Sequence, residues 1–395
     1  MQKLLAYFII PLLLALALAW GLVQYGLLPP IHQTVEQAAP ASADGLYIDR
    51  FDQNPALERL LFEPGETATI SIFGSSELSY SGEAAPQKFI PQVSDFKVKT
   101  IGHAGNQCLS ILCQLLAKKN QLHHAKIAII LSPGWFESKA SRGTTSSVFL
   151  EYNSEAMLQA WQQEEDEVAA YARKRIAELF PEFNAPGLEL RNTYFKSKAQ
   201  QSFLHGLAMN PLIKSNDLLR RVNSPQANFN PKQETLPSPQ PEINNLPWDS
   251  LFENARKAVL AAATNNPYGI ENNYFDAHIG KKRGNVQAVN NELNTELDDF
   301  IALMKFIRKE KLNVCFIISP LNALYYKNPE ALSPCIHYLE KIIKGSNEQE
   351  AYPLLNLYTA SGEKYDKALL SDVMHLSHYG WYRVDHFILQ HFSIK

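Results

Sequence analysis

Residues 67–77 read Thr67-Ala68-Thr69-Ile70-Ser71-Ile72-Phe73-Gly74-Ser75-Ser76-Glu77. The first seven are β-branched, aromatic or small and show no helical period, which describes a short buried strand. Gly74 ends the run, and two serines follow on the turn. Three further runs behave in the same way: Phe96 to Ile101, Ala125 to Leu131 and Leu312 to Ile318. The first exits into Gly102-His103-Ala104-Gly105, and the other two exit into Ser132-Pro133 and Ser319-Pro320. Helical spacing fills the intervals. Leu109, Leu112, Leu115 and Leu116 share a stripe within 107–118, and Leu293, Leu297, Phe300, Ile301, Met304 and Ile307 share another within 291–309. Apolar strands alternating with helices predict a three-layer α/β fold, a parallel sheet covered by helices on both faces. In such sheets ligand sites form beyond the carboxyl ends of the strands. The Gly74–Ser76 turn, the 102–105 loop and both Ser-Pro exits are expected there.

A second motif stands some three hundred residues downstream, Asp372-Val373-Met374-His375. An Asp three residues before a His can orient the imidazole and balance its charge from one short turn. A strand-end serine can then be the nucleophile which that imidazole deprotonates. Ser76, Asp372 and His375 occur in an order that α/β hydrolases use. Each motif alone is common, and only a fold that joins them gives either one chemical meaning.

Leu4 to Val23 carries no charged residue. Twenty helical residues rise about 30 Å, the thickness of a hydrocarbon core. Lys3 precedes the run, and Pro29-Pro30 follow it. Residues 1–30 are read as one transmembrane anchor and 31–66 as a juxtamembrane lead-in. Residues 67–395 are read as an extracytoplasmic domain, so that the protein belongs at the cell membrane with a single pass. The competing reading is a signal peptide cleaved near Ala17-Leu18-Ala19. The whole chain holds 37 Lys and Arg against 40 Asp and Glu, a formal net charge of −3, which leaves no basic footprint for nucleic acid. Between the third and fourth strands lies a long excursion, about 140–290, read as a helical cap insertion or alternatively as a second domain. Glu151 to Phe180 is amphipathic and helical, and 223–247 is crowded with proline and holds little regular structure.

The four cysteines, Cys108, Cys113, Cys315 and Cys335, show no metal-type spacing. Neither a metal nor a cofactor is expected. Disulfides are open to an exported chain, and four cysteines allow three pairings. His123-His124, His378, His386 and His391 read as surface or packing residues, while His103 is placed to line the site. Trp135 and Trp381 read as packing.

Several blocks together carry a resemblance. The strand-end nucleophile turn and the late Asp-x-x-His are similar to serine hydrolases of the SGNH type. Their nucleophile stands third in a Gly-Asp-Ser block, which here is Ser76, with Ser75 replacing the Asp and bracing the turn. Gly105 stands where that superfamily supplies a backbone N–H to the oxyanion hole. A closer likeness follows from Phe73-Gly74-Ser75-Ser76-Glu77-Leu78, Leu131-Ser132-Pro133-Gly134-Trp135-Phe136, Asn265-Asn266-Pro267-Tyr268-Gly269, Ile318-Ser319-Pro320-Leu321-Asn322 and Asp372-Val373-Met374-His375-Leu376 with Gly380-Trp381. In this order, behind an apolar N-terminal run, the chain resembles the DltD family, membrane-anchored D-alanyl transfer proteins. The resemblance implies an SGNH-like core that attaches D-alanine esters to an envelope glycopolymer such as teichoic acid. It also implies a membrane O-acyltransferase as partner and a D-alanyl donor or carrier. One departure is plain: the family usually has Gln where this chain has Gly134. Gly134 offers no side-chain donor, so its backbone N–H, Asn106 or Gln107 would have to substitute. A membrane-tethered esterase with the same residues is the first rival reading. A non-catalytic docking protein for the carrier or the acyltransferase is the second.

Overall fold

A computed structural model describes residues 45–48, 51, 58, 60–62, 68–137, 144–153, 155–161, 163–180, 246–286, 294–347 and 350–393. The expected anchor, most of the lead-in and the proline-rich crossing up to residue 245 lie outside the described residues. Among the described residues no helix is long and apolar enough to cross a membrane.

Six parallel strands form one sheet in the order β1-β3-β2-β4-β5-β6. They are β1 (Leu46–Ile48), β2 (Thr69–Phe73), β3 (Lys97–Ile101), β4 (Lys126–Leu131), β5 (Asn313–Ile318) and β6 (Leu354–Asn356). The four expected strands appear within two residues of their predicted bounds. The other two, each three residues long, are the sheet's edges. β1 falls inside the segment read as a lead-in, yet it pairs with β3 and buries Leu46 and Ile48. β2 is central. From it the chain moves to β3 on one side, then crosses to β4 on the other. The strand order therefore reverses at the carboxyl end of β2, the position where open α/β sheets bind ligands.

Alternate residues of the central strands enter different cores. Ile127, Ile129 and Leu131 of β4 and Val314, Phe316 and Ile318 of β5 face one layer. Ala128, Ile130, Cys315 and Ile317 face the other. The first layer contains helices α2 (Cys108–Ala117), α3 (Ser146–Tyr152), α4 (Glu155–Trp161), α5 (Glu167–Leu179), α7 (Thr295–Lys309) and α8 (Ser333–Lys344). The second contains α1 (Pro86–Val93), α6 (Trp248–Ala261) and α9 (His378–Ser393). Because both faces are covered, strands without polar alternation are the stable solution. The long excursion feeds both layers: α3 to α5 join the first, and α6 packs on α9 in the second.

Local chemistry starts these helices where they begin. Asn294 caps α7 by accepting the Leu297 N–H at 3.1 Å, and its amide donates to the Phe136 carbonyl at 2.8 Å. Glu296 and Asp298 stand in the first turn of α7, and Arg308 and Lys309 in its last, matching the helix dipole. All four cysteines are buried free thiols, so none of the three pairings is formed.

Candidate active site

The turn after β2 is held by an unusually close backbone approach. The Gly74 carbonyl lies where a side chain on Gly102 would be, 2.0 Å from an ideal Cβ position, and Gly102 has φ +144°. Only glycine fits there. Asn106 fastens the same two loops. Its amide donates to the Gly74 carbonyl at 3.0 Å, and its side-chain oxygen accepts from Gln114 at 3.1 Å. Asn106 is fully buried and spends both ends on the fold. Offered from the sequence as a substitute site donor, it braces the loops with this side chain. Gln107 is also buried, directly before α2, with its side-chain oxygen unpartnered among the described residues.

Ser76 opens a single helical turn, Ser76–Ser79, and is half-buried. Ser75 is buried behind it. The Ser75 hydroxyl donates to the His103 carbonyl at 3.1 Å and accepts the Gly105 N–H at 3.0 Å. The Gly105 N–H is thus engaged with Ser75, while the Ser76 N–H makes no hydrogen bond among the described residues. The His103 imidazole is exposed at the rim of this loop. Gly134 lies in the one-turn helix Pro133–Phe136 after β4, the strand next to β2. An ideal Cβ on Gly134 would meet nothing closer than the Ser132 hydroxyl at 3.9 Å, so the space a side chain would take is open.

The second half of the site is the loop before α9. Leu370 and Leu376 form an antiparallel bridge, and the Ser371 N–H donates to the His375 carbonyl at 3.0 Å. Inside this closed loop Asp372 accepts the N–H groups of Met374 and His375 through Oδ1, at 2.8 and 2.7 Å. Its Oδ2 lies 2.7 Å from His375 Nδ1, and His375 Nε2 lies 3.0 Å from the Ser76 hydroxyl. The Asp-x-x-His spacing works because one carboxylate holds both the turn's backbone and the ring. Ser76, His375 and Asp372 therefore form one continuous hydrogen-bonded relay, although Ser76 and Asp372 stand 296 positions apart in the chain.

Two residues that motif reading did not single out hold this relay. Asn322 follows β5 and is fully buried. Its amide donates to the carbonyls of Tyr268, at 3.1 Å, and of Asp372, at 3.4 Å. Its side-chain oxygen accepts from the N–H groups of Leu324 and Tyr325 at 3.2 and 3.1 Å. Glu77 is buried directly after Ser76 and accepts the Ser75 N–H at 2.7 Å.

The charges are tuned to match. The Asp372 hydrogen bond is the largest influence on His375; together with the negative charges of Asp372 and Glu77 it outweighs burial and holds the imidazole above its ordinary value. Burial pushes the Asp372 carboxyl up. The His375 hydrogen bond, the imidazolium charge and the two backbone N–H groups overcome it, and the net shift is downward. The arrangement stabilises an ionised Asp372 beside a protonatable His375, as a base oriented by a carboxylate requires. Around it, Tyr268, Tyr274, Phe275, Tyr325 and Tyr326 pack on Ile270, Ile279 and Val373. Among the described residues no group of three or more His, Cys, Asp or Glu side chains is arranged to hold a metal. Trp135 and Trp381 are buried in the two cores, and His386 stacks on Trp248 with centroids 4.4 Å apart.

Two known proteins are similar along nearly their whole length. Protein DltD of Staphylococcus aureus (strain NCTC 8325 / PS 47) is 23% identical over 399 residues, covering 98% of this chain and 93% of that protein. Protein DltD of Bacillus subtilis (strain 168) is 22% identical over 370 residues, covering 90% and 87% respectively. The family described as DltD protein matches from residue 48 to residue 393, from the first edge strand to the last helix, and the chain belongs to the DltD family.

Proposed function

We propose that this protein is a membrane-tethered serine acyltransferase of SGNH-like build that passes D-alanyl groups to hydroxyls of an envelope glycopolymer such as teichoic acid. The observation that carries this reading is the relay at the sheet's switch point, with 2.7 Å from Asp372 to His375 and 3.0 Å from His375 to Ser76. Family membership supplies the D-alanyl group and the polymer. The apolar run at residues 4–23 supplies the membrane attachment, with the folded domain on the extracytoplasmic side.

In the proposed reaction Nδ1–H donates to Asp372, which leaves Nε2 free to accept the Ser76 proton. Ser76 Oγ attacks the carbonyl carbon of the donor's D-alanyl group. The tetrahedral intermediate collapses, and the leaving group departs with the proton held on Nε2. A polymer hydroxyl then attacks the alanyl ester of Ser76 and gives its proton to Nε2, and the proton returns to Ser76 Oγ as the new ester leaves. The Ser76 N–H is the oxyanion donor best placed to act without rearrangement. The Gly105 N–H joins it when the Ser75 hydroxyl turns away, and the open space at Gly134 admits the donor or acceptor. Each such donor contributes about 3–4 kcal/mol to transition-state stabilisation. The donor is delivered by a membrane O-acyltransferase and its D-alanyl carrier.

The test is ester-linked D-alanine in the envelope of cells lacking the gene and complemented with wild type, Ser76→Ala or His375→Ala. Loss of the ester in both variants, with the proteins present at wild-type level in the membrane, is expected. Full D-alanylation by both variants would favour a docking role. Release of alanine from polymer by the wild type but not by Ser76→Ala would favour an esterase.

A further inference from the structure

Glu77 is a charged residue where none is required by the strand or by the relay. It follows the nucleophile directly, its residue is 6% exposed, and its carboxylate turns back across the turn. Oε1 accepts the Ser75 N–H at 2.7 Å. The carboxylate occupies the space over Gly74, where an ideal Cβ would stand 2.6 Å from Oε1 and 3.1 Å from Leu78 Cγ. Gly74 is thus the residue that makes room for Glu77, and the two form one device. By taking the Ser75 N–H, Glu77 fixes the Gly74–Ser75 peptide, the one before the peptide that carries the Ser76 N–H. The next N–H, that of Ser76, is left without a partner among the described residues.

Glu77 directly follows Ser76, whose hydroxyl lies 3.0 Å from His375 Nε2, so its carboxylate is carried by the turn that meets this imidazole, and its negative charge favours the protonated ring. Among the described residues two carboxylates act on this imidazole: Asp372 from its own loop, and Glu77 from the turn after β2. Burial, with the Asp372 charge behind it, pushes up the hydroxyls of Tyr274, on the turn 272–279, and of Tyr365. Among the described residues the charged group acting on Glu77 is His375. Burial is the dominant influence on the Glu77 carboxyl and pushes it up, against the Ser75 N–H, its own N–H and the His375 charge. An ionised carboxylate is expensive in such a place unless something nearby uses its charge.

We infer that Glu77 is a positioning residue for acyl transfer: its carboxylate sets the nucleophile turn and stabilises the His375 imidazolium that forms when Ser76 gives up its proton. This rests on the reading of Ser76 as nucleophile. It adds to Asp372 a second negative group, carried by the nucleophile's own turn. The two carboxylates differ in task. Asp372 bonds the ring and chooses its tautomer. Glu77 acts on the ring through space and on the oxyanion side through the backbone.

Glu77→Gln keeps the shape and the amide oxygen that can accept the Ser75 N–H, and removes the charge. Gly74→Ala keeps the charge and pushes the carboxylate off that N–H. Both are measured as full-length protein in detergent, by NMR titration of the His375 imidazole and by the pH profile of p-nitrophenyl ester hydrolysis. Glu77→Gln should lower the His375 titration midpoint, move the acid limb of the profile to lower pH, and reduce kcat roughly tenfold with KM little changed. Gly74→Ala should reduce kcat further, because turn and charge are both displaced. Unchanged His375 titration in Glu77→Gln would overturn the inference even if activity fell, since a merely structural glutamate predicts that outcome. Unchanged kcat in both variants would overturn it as well. The titration is read without catalysis, so an active Ser76→Ala would sink the nucleophile reading while leaving the Glu77 measurement intact.

Discussion

Asn322→Ala separates the support of the site from its chemistry. The side chain is fully buried and makes four hydrogen bonds, to Tyr268, Asp372, Leu324 and Tyr325, at 3.1 to 3.4 Å. Alanine leaves two carbonyls and two N–H groups, one of each buried and one of each partly buried, without these partners. At about 0.5–1.5 kcal/mol per bond, and less for the longest, the expected loss of stability is about 2–4 kcal/mol. The catalytic effect should be larger than this loss explains. The amide of Asn322 holds the carbonyl of Asp372 itself, and its own N–H donates to Val373 at 3.3 Å. A shift of this loop by about 1 Å lengthens the contact between His375 and Ser76, and displacements of that size cost on the order of a hundredfold in rate. Urea unfolding measures the first quantity and ester hydrolysis at 25 °C the second. The full-length variant should remain folded at that temperature, with kcat reduced about a hundredfold. Stability within 0.5 kcal/mol of wild type, roughly the spread of an ordinary surface substitution, together with unchanged kcat would refute the role given to Asn322.

Other outcomes follow from the same geometry. Because the base must be neutral and its imidazole is held above 6.5, ester hydrolysis by wild type should rise with pH through a midpoint above that value; a midpoint at or below it would contradict the Asp372–His375 pairing. The same raised imidazole contributes stability that is complete below 6.5 and is lost as pH rises through its folded value, an effect Asp372→Asn should remove from the stability–pH curve. Asp385 on α9 is fully buried with neither oxygen partnered among the described residues, and burial drives its carboxyl well above 3.8. An acid raised in the folded state contributes stability that is complete below its unfolded value and is lost as pH climbs through its folded value, so Asp385→Asn should gain more stability over wild type at pH 7 than near pH 4. A gain independent of pH would show that Asp385 titrates alike in both states.

The parts of the fold that the sequence disclosed are those whose signal is local. β2, β3, β4 and β5 are five or six residues long, β2, β4 and β5 predominantly apolar and β3 interrupted by two lysines, and each ends at a glycine or serine turn. β1 and β6 are three residues each, too short to carry a period, and β6 is half-exposed throughout. They become strands because neighbours already in place pair with them. The relay residues were visible for a similar reason, since Asp372 and His375 share one turn and Ser76 ends one strand. Asn322 and Glu77 were not, although both stood inside quoted motifs. Asn322 acts on carbonyls 54 and 50 positions away, and the task of Glu77 depends on an imidazole about three hundred residues downstream. The bracing task of Asn106 was equally hidden: the sequence offered it as a stand-in for the donor that Gly134 lacks, and its bonds to Gly74 and Gln114 depend on the close approach of two loops.

The central claim is that Ser76 carries the D-alanyl group. Full-length protein reconstituted in membranes with its O-acyltransferase and a D-alanyl donor can be quenched in acid during turnover and digested for mass spectrometry. One alanyl residue, labile to hydroxylamine as an ester is, should be found on Ser76, accumulating when the polymer acceptor is withheld and absent from Ser76→Ala. Transfer to polymer at the wild-type rate by Ser76→Ala, with no alanyl ester on any residue of the wild-type protein, would contradict it.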